Sequence, residues 1–338
     1  MAAGSSYSLH VFGNGKGEST VIESPGGWGV VDCFRYQSRV PVLEFLKNKG
    51  VDELAFLALS HPHDDHFSGL GELVEYFLSK KAISQFWRYP ALEAKHLLPV
   101  LRAKAHQLLP PFGSNRRETI SQLQRAFQLL LPKIKSGKTE IKLAQLGMML
   151  LDKDSDKIKI EAVAPPGKMV IEAETYLAKC LDALQSGDKV PTWDLNKVSS
   201  ALKIELGGAE ALLCGDVPHT SWRAVFKSSS KPLLEPDLVK VTHHGSKKDN
   251  TDKVLDELVG GSPPSVAVVT RYSSKRLPRK IVIEKLKQRF SEVIILGRPT
   301  KKIPRKKNKP RPQAKFTAER VSLTVSNQQF QVTERVKC

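Results

Sequence analysis

Ser60-His61-Pro62-His63-Asp64-Asp65-His66 is the segment from which the fold is read. Within the six residues from His61 to His66 lie three imidazoles and the carboxylate of Asp65. They follow an apolar run, Leu54 to Ser60, that reads as a buried strand delivering them to its mouth. Mixed imidazole and carboxylate donors at this spacing are metal ligands. His61 and His63, two apart, can point to one ion, while Asp65 and His66 turn to a second as the chain bends into a helix. Asp64 is expected to orient the loop from behind the ligands.

Two segments downstream supply what such a site lacks. In Cys214-Gly215-Asp216, a glycine after an apolar strand permits a tight turn and presents one carboxylate, suited to bridging two cations. His243-His244-Gly245-Ser246 ends another apolar stretch, Leu238 to Thr242. His243, which directly ends that strand, is the expected ligand. His244 then faces substrate phosphate or donates a proton, with the reverse assignment left open. Asp32, after Val30-Val31, is a further strand-end carboxylate read as a supporting group.

The remaining sequence is organised around these strand ends. A meander is expected over Tyr7 to Phe12, Ser19 to Glu23 and Trp28 to Phe34, with glycine-rich turns between. Helical spacing marks residues 40–49, 70–78, 92–109 and 118–134, with a strand at Ile83 to Arg88. Strands return at 158–164, 200–206 and 209–214, and again at 238–242, 265–270 and 293–296, with helices at about 170–186 and 279–290. Strands on both sides of a helical middle predict two sheets covered by helices, a layered α/β architecture. Cys214 reads as inert core, and His10, His96, His106 and His219 as non-ligands.

Composition sets the outer bounds. The 338 residues are 40% hydrophobic, which excludes a wholly disordered chain, and carry a formal net charge of +18. The four cysteines are scattered without a CxxC pair, and no apolar run spans a bilayer, so a reduced, cytoplasmic setting is expected. Half of the charge excess, +9, falls between Pro299 and Cys338. Its densest part includes Lys301, Lys302, Arg305, Lys306 and Lys307, an extended loop suited to phosphate backbones or simply to solubility. An alternating hairpin follows. The expected organisation is a hydrolase domain over 1–298 with a helical insertion at about 90–136, and a basic loop and hairpin over 299–338 packed on it.

Asp32, the His61 to His66 motif, Asp216 and His243 occur in the order found in metallo-β-lactamase-fold hydrolases, which the chain resembles. Finer features are similar to the hydrolase domain of competence-type DNA-uptake proteins: Phe12-Gly13-Asn14-Gly15-Lys16-Gly17-Glu18, Asn196 with Ser199, Leu213-Cys214-Gly215-Asp216 and Lys240-Val241-Thr242-His243-His244-Gly245-Ser246. The resemblance implies an αββα sandwich, a dinuclear site holding Zn²⁺ or Mn²⁺, and hydrolysis, with nucleic acid as substrate in the DNA-uptake branch. Glu18 departs from the aspartate usual in the glycine-rich turn. The extra ligand histidine of the wider fold has no counterpart, since His96 and His106 lie in helical patterns.

The resulting expectation is a metal-dependent phosphodiesterase, foremost a DNA or RNA nuclease, with Asp65 and His244 catalytic. Ser246, Lys247, Lys248, Asn196 and Ser199 are expected to contact substrate together with the basic loop. A small-molecule phosphodiesterase, or a non-catalytic nucleic-acid-binding subunit, is the alternative. A protein partner in a DNA-processing or defence complex is a further expectation.

Overall fold

The computed structural model describes residues 6–90, 99–101, 103, 113–260, 266–297 and 318–338. The predicted meander forms β1 (Ser8–Gly13), β2 (Glu18–Ser24) and β3 (Gly27–Val31), followed by β4 (Leu54–Leu59), β5 (Ile83–Arg88) and β6 (Glu140–Leu143). A second group comprises β7 (Met148–Lys153), β8 (Ile158–Ala164), β9 (Ala201–Leu206), β10 (Ala209–Leu213), β11 (Leu238–Lys240), β12 (Val266–Thr270) and β13 (Glu292–Leu296). The chain closes with the hairpin of β14 (Glu319–Ser326) and β15 (Gln329–Lys337).

The strands make two sheets, ordered β15-β14-β1-β2-β3-β4-β5-β6 and β13-β12-β11-β10-β9-β8-β7. Between them lies a core drawn from both inner faces, including Leu9, Ile22, Phe56 and Trp87 against Ile160, Ile204, Leu213 and Val268. Phe56 and Trp87 stack at 3.9 Å in its middle. The outer face of the first sheet is covered by helices Pro41–Asn48, Leu70–Lys80, Gly113–Lys135 and Gly167–Ser186, through Phe45, Leu73, Phe127 and Tyr176. Helices His219–Phe226, Asp252–Val259 and Lys280–Arg289 cover the second sheet through Trp222, Leu255 and Leu286. Each sheet is thus buried on both faces, the arrangement of an αββα metallo-β-lactamase sandwich.

Strands β3 to β6 run parallel within the first sheet, as do β10 to β13 within the second. Parallel strands bring their carboxyl ends to one edge, where loops are free to carry ligands. Asp32 follows β3, His61 to His66 follow β4, Asp216 follows β10, and His243 and His244 follow β11. The basic residues Lys301, Lys302, Arg305, Lys306 and Lys307, with His96 and His106, lie outside the described residues.

Candidate metal centre

The loop after β4 is held against the glycine-rich turn. A Cβ on Gly17 would stand 2.8 Å from the carbonyl oxygen of Asp65 and 2.5 Å from Cβ of Phe34, so only glycine permits this approach. The four-residue helix Asp64–Phe67 then turns Asp65 and His66 inward. On the second sheet, Gly215 has φ +51°, and a Cβ there would lie 2.7 Å from the carbonyl of Ser200, so the tight turn that presents Asp216 also requires glycine.

Asp216 faces both halves of the site. Its Oδ2 lies 3.9 Å from His61 Nε2, and its Oδ1 lies 3.7 Å from His66 Nε2 and 3.8 Å from His244 Nε2. One cluster is His61, His63 and Asp216, with His61 Nε2 and His63 Nδ1 converging at 3.0 Å. A second is Asp65, His66, Asp216 and His244, with Asp65 Oδ2 at 3.7 Å from His66 Nε2 and 3.1 Å from His244 Nε2, and a third grouping, Glu18, Asp32 and His66, lies behind it without Asp216. The donors within each cluster lie within 4.8 Å of one another. A carboxylate with one oxygen toward each of the first two clusters has the geometry of a shared ligand, and those two groups fit a pair of divalent cations.

Unpaired polar atoms test that fit. His66 Nε2 and Asp216 Oδ1 are buried without a hydrogen-bond partner, although they face each other. Leaving a buried polar atom unmatched costs on the order of 1–3 kcal/mol, and a cation placed between these two answers both. The far side of each ring is anchored. His66 Nδ1 donates to Asp32 at 2.7 Å, His61 Nδ1 lies 3.0 Å from Ser60 Oγ, and His244 Nδ1 lies 3.0 Å from Thr270 Oγ1. Anchoring Nδ1 in this way turns the Nε2 lone pair of each ring toward the site. Asp32 also accepts from the backbone N–H and hydroxyl of Ser60, at 2.8 and 2.6 Å. Replacing Asp32 by alanine is expected to weaken metal affinity about 10- to 100-fold, read by titration calorimetry.

The electrostatics follow from burial and from this crowding of charge. Burial and the neighbouring imidazoles hold His61 well below the ordinary histidine value, so it is a neutral ligand. His66 is also penalised by burial, but Asp32 and Asp65 override that and push it up to about 10. A metal ion entering here therefore displaces a proton. Asp65 is held far down, against its burial, by His66 and His244. Behind the second cluster, Lys240 and Glu18 form a buried ion pair, and the Thr270 hydroxyl donates to the same carboxylate. Glu18 lies 3.3 Å from His244 Nδ1 and is held down at about 2 by Lys240, His244 and His66 in spite of its burial. Burial pushes the Cys214 thiol up to about 12, so it is unreactive core.

Several expected roles change. Of the two adjacent histidines the sequence favoured His243 as the ligand, whereas it is His244 that lies among the clustered donors. Both adopt left-handed backbone, with φ 45° and 52°, so the chain does not continue as a strand and the second ring swings inward. His244 has both ring nitrogens engaged and is 1% exposed, which removes it as a proton donor to substrate. His243 lines the cavity mouths instead, with Nδ1 2.8 Å from Asp249 and Nε2 3.8 Å from Asp216 Oδ2. Burial opposes protonation of His243, but the hydrogen bond that its Nδ1 donates to Asp249 and the charge of Asp216 raise its pKa.

Ser199 also departs from expectation. It is fully buried, and its hydroxyl accepts from the backbone N–H of Asp216 at 3.0 Å, so it positions the bridge and cannot reach substrate. Asp64 is exposed on a cavity wall, not packed behind the ligands. Asn196, Ser246, Lys247 and Lys248 line a cavity of about 1290 Å³. Sequence reasoning missed Asp249, Thr270 and a role for Lys240. Only the last left a signal, a lysine inside an otherwise apolar run.

Two cavities open on the centre and share His63, His243 and Lys275. The larger, of about 1290 Å³, carries Lys247, Lys248, Lys275, Arg276 and Arg279, with Asp194 and Asp249. The smaller, of about 340 Å³, includes Phe67, Leu101, Ile120, Trp193, Leu195 and Tyr272 among its walls. Tyr272 stacks on His244 at 5.0 Å, and Trp193 on Tyr176 at 5.3 Å.

Residues 13–135 match the Metallo-beta-lactamase superfamily, and no curated protein matches the chain. The chain is similar to the metallo-beta-lactamase fold protein YhfI from Bacillus subtilis, with 13% identity over 86% of this chain and 96% of that one and a TM-score of 0.42. It is similar also to a diphosphatase from the PhnP family, with 11% identity, 85% and 94% coverage and a TM-score of 0.43. Zn²⁺-bound PqqB from Methylobacterium extorquens gives 10%, 83% and 86%, and 0.39. With its αββα sandwich and the ligand clusters at its mouth, the chain is a metal-dependent hydrolase of the metallo-β-lactamase fold. The likeness is to the superfamily and does not single out the DNA-uptake branch. No helix among the described residues is long and apolar enough to cross a membrane.

Proposed function

We propose that the chain hydrolyses phosphodiesters. The observation that carries this is the set of five exposed cationic side chains, Lys247, Lys248, Lys275, Arg276 and Arg279, lining the larger cavity beside His63 and His243. Cations gathered at a mouth of this kind attract an anion and hold it near the centre. When bound, two divalent cations supply Lewis acidity toward a phosphoryl oxygen and an activated water. The residues divide that work. His61 and His63 hold one side, Asp65, His66 and His244 the other, and Asp216 joins them. His243, facing the cavity and oriented by Asp249, stands where it can pass a proton to the leaving oxygen. Mixed imidazole and carboxylate donors suit Zn²⁺ and Mn²⁺ alike.

A small phosphodiester is the minimal substrate. The second reading, cleavage of DNA or RNA, is favoured by the breadth of the basic cavity and by the basic block from Lys301 to Arg311. Metal-loaded protein is expected to hydrolyse bis(4-nitrophenyl) phosphate, and His63→Ala to lower kcat/KM at least about 100-fold, equivalent to about 2.7 kcal/mol. An unchanged rate in His63→Ala, or no turnover by the wild type on any phosphodiester, overturns the proposal. The nucleic-acid reading has its own check. Neutralising Lys301, Lys302, Arg305, Lys306 and Lys307 should flatten the dependence of log K on log salt by about 0.7–0.9 per lost contact, and an unaltered slope removes this block from binding.

A further inference from the structure

The two cavities that meet at the metal centre differ in chemistry. The larger is walled mainly by exposed lysine and arginine; the smaller has the donors Asp65, Asp216 and His244, with Asp64, on one side and buried Phe67, Leu101, Ile120 and Leu195 together with Trp193 and Tyr272 on the other. Their common boundary is His63 and His243, with Lys275 reaching both. A diester whose phosphorus sits at that boundary has room for one ester arm in each. An aromatic arm gains from an apolar wall that includes two aromatic side chains, whereas the other arm meets a trough in which five cations outnumber Asp194 and Asp249. At about 340 Å³, the smaller cavity is of the order that takes a single compact organic group.

We infer that the substrate is an asymmetric phosphodiester: a nucleoside-sized aromatic group enters the apolar cavity, and the opposite ester arm carries at least one further anionic group into the basic trough. This rests on the phosphodiesterase reading above and narrows it to nucleotide-type chemistry, as found in a free dinucleotide or at a strand end. Hydrolysis adds one water across a P–O bond, leaving a phosphate monoester on one arm and a hydroxyl on the other, so no further reactant is required.

Binding and turnover test the inference separately. In metal-free protein, adenosine 3′,5′-bisphosphate is expected to bind at least 10-fold more tightly than inorganic phosphate by calorimetry. Trp193→Ala and Leu195→Ala should each remove most of that advantage, with melting curves confirming that the variants are folded. In metal-loaded protein, the ratio of kcat/KM for a 5′-phosphorylated dinucleotide to that for bis(4-nitrophenyl) phosphate should fall at least 10-fold in Lys247→Gln/Lys248→Gln/Arg276→Gln. A 5′-phosphorylated 20-mer run in parallel distinguishes the sources: preference for the dinucleotide indicates a free ligand, and comparable or better cleavage from one end indicates a strand terminus. Equal binding of bisphosphate and phosphate, or a ratio unmoved by the charge variant, overturns the inference while leaving the hydrolase reading intact. Absence of any phosphodiester turnover, with the binding preference present, overturns the hydrolase reading instead.

Discussion

Asp216→Asn is expected to lower kcat/KM by about 10³-fold or more, and metal analysis should find about one ion per chain against two expected for the wild type. The reason lies in the geometry of one carboxylate. Its Oδ2 is within 3.9 Å of His61 Nε2, while Oδ1 is 3.7 Å from His66 Nε2. An amide keeps the shape but offers one oxygen and an NH₂ group that repels a cation, so one of the two clusters loses its shared donor. The backbone N–H of residue 216 still donates to Ser199, so the loop itself stays in place. Two ions retained with near-normal turnover would show that Asp216 is not the bridge.

The second large effect concerns stability. Lys240→Met leaves Glu18, 4% exposed, without its ammonium partner, and is expected to cost about 3–5 kcal/mol, read as a lower urea midpoint. Adding Glu18→Gln should return most of that loss, because the uncompensated charge is then gone. The sign with pH can be worked out. In the wild type Glu18 is held at about 2 against an ordinary value of 4.5, so its contribution is complete above about pH 4.5 and is lost as pH falls toward 2. Without Lys240, burial favours the protonated acid. The gap between variant and wild type should therefore be widest at neutral pH and shrink in acid. A gap that is the same at pH 7 and pH 4 would contradict this account of the pair.

Much of the fold was legible because the ligand loops interrupt strong apolar runs. Leu54–Leu59 and Ala209–Leu213 are strands on the strength of their composition, and the polar group following each had to stand at a sheet edge. Strands β6 and β7 left no such mark. They border the two sheets, and Ile141, Leu143, Met148 and Met149 are exposed on them, so the period-2 signal of a half-buried strand is missing. Helices His219–Phe226 and Asp252–Val259 went unread, although Pro41–Asn48, equally short at eight residues, was expected from its spacing.

Within the centre, the His61 to His66 motif and Asp216 could be placed from spacing, but the order of His243 and His244 could not. That choice turns on two consecutive left-handed residues, a conformation costing on the order of 1–2 kcal/mol per residue and carrying no signature in a His-His pair. Asp249 acts around a turn and no local pattern announces it, while Lys240 stands out in its apolar run but its partner, Glu18, is 222 positions away. Ser199 shows the converse. It has the chemistry of a substrate contact, and only full burial assigns it to holding the bridge.

The terminal hairpin has a consequence for how the chain is made. β14 pairs with β1 in register, joining Ser8 to a threonine 316 positions later. During synthesis the first strand therefore emerges long before its neighbour, and one side of it stays open for nearly the whole of translation. An unpaired strand edge of this kind is a template for pairing with other chains. The nascent protein depends on late-arriving sequence to seal its earliest strand, and ribosome-bound intermediates stalled before residue 318 should be the aggregation-prone species.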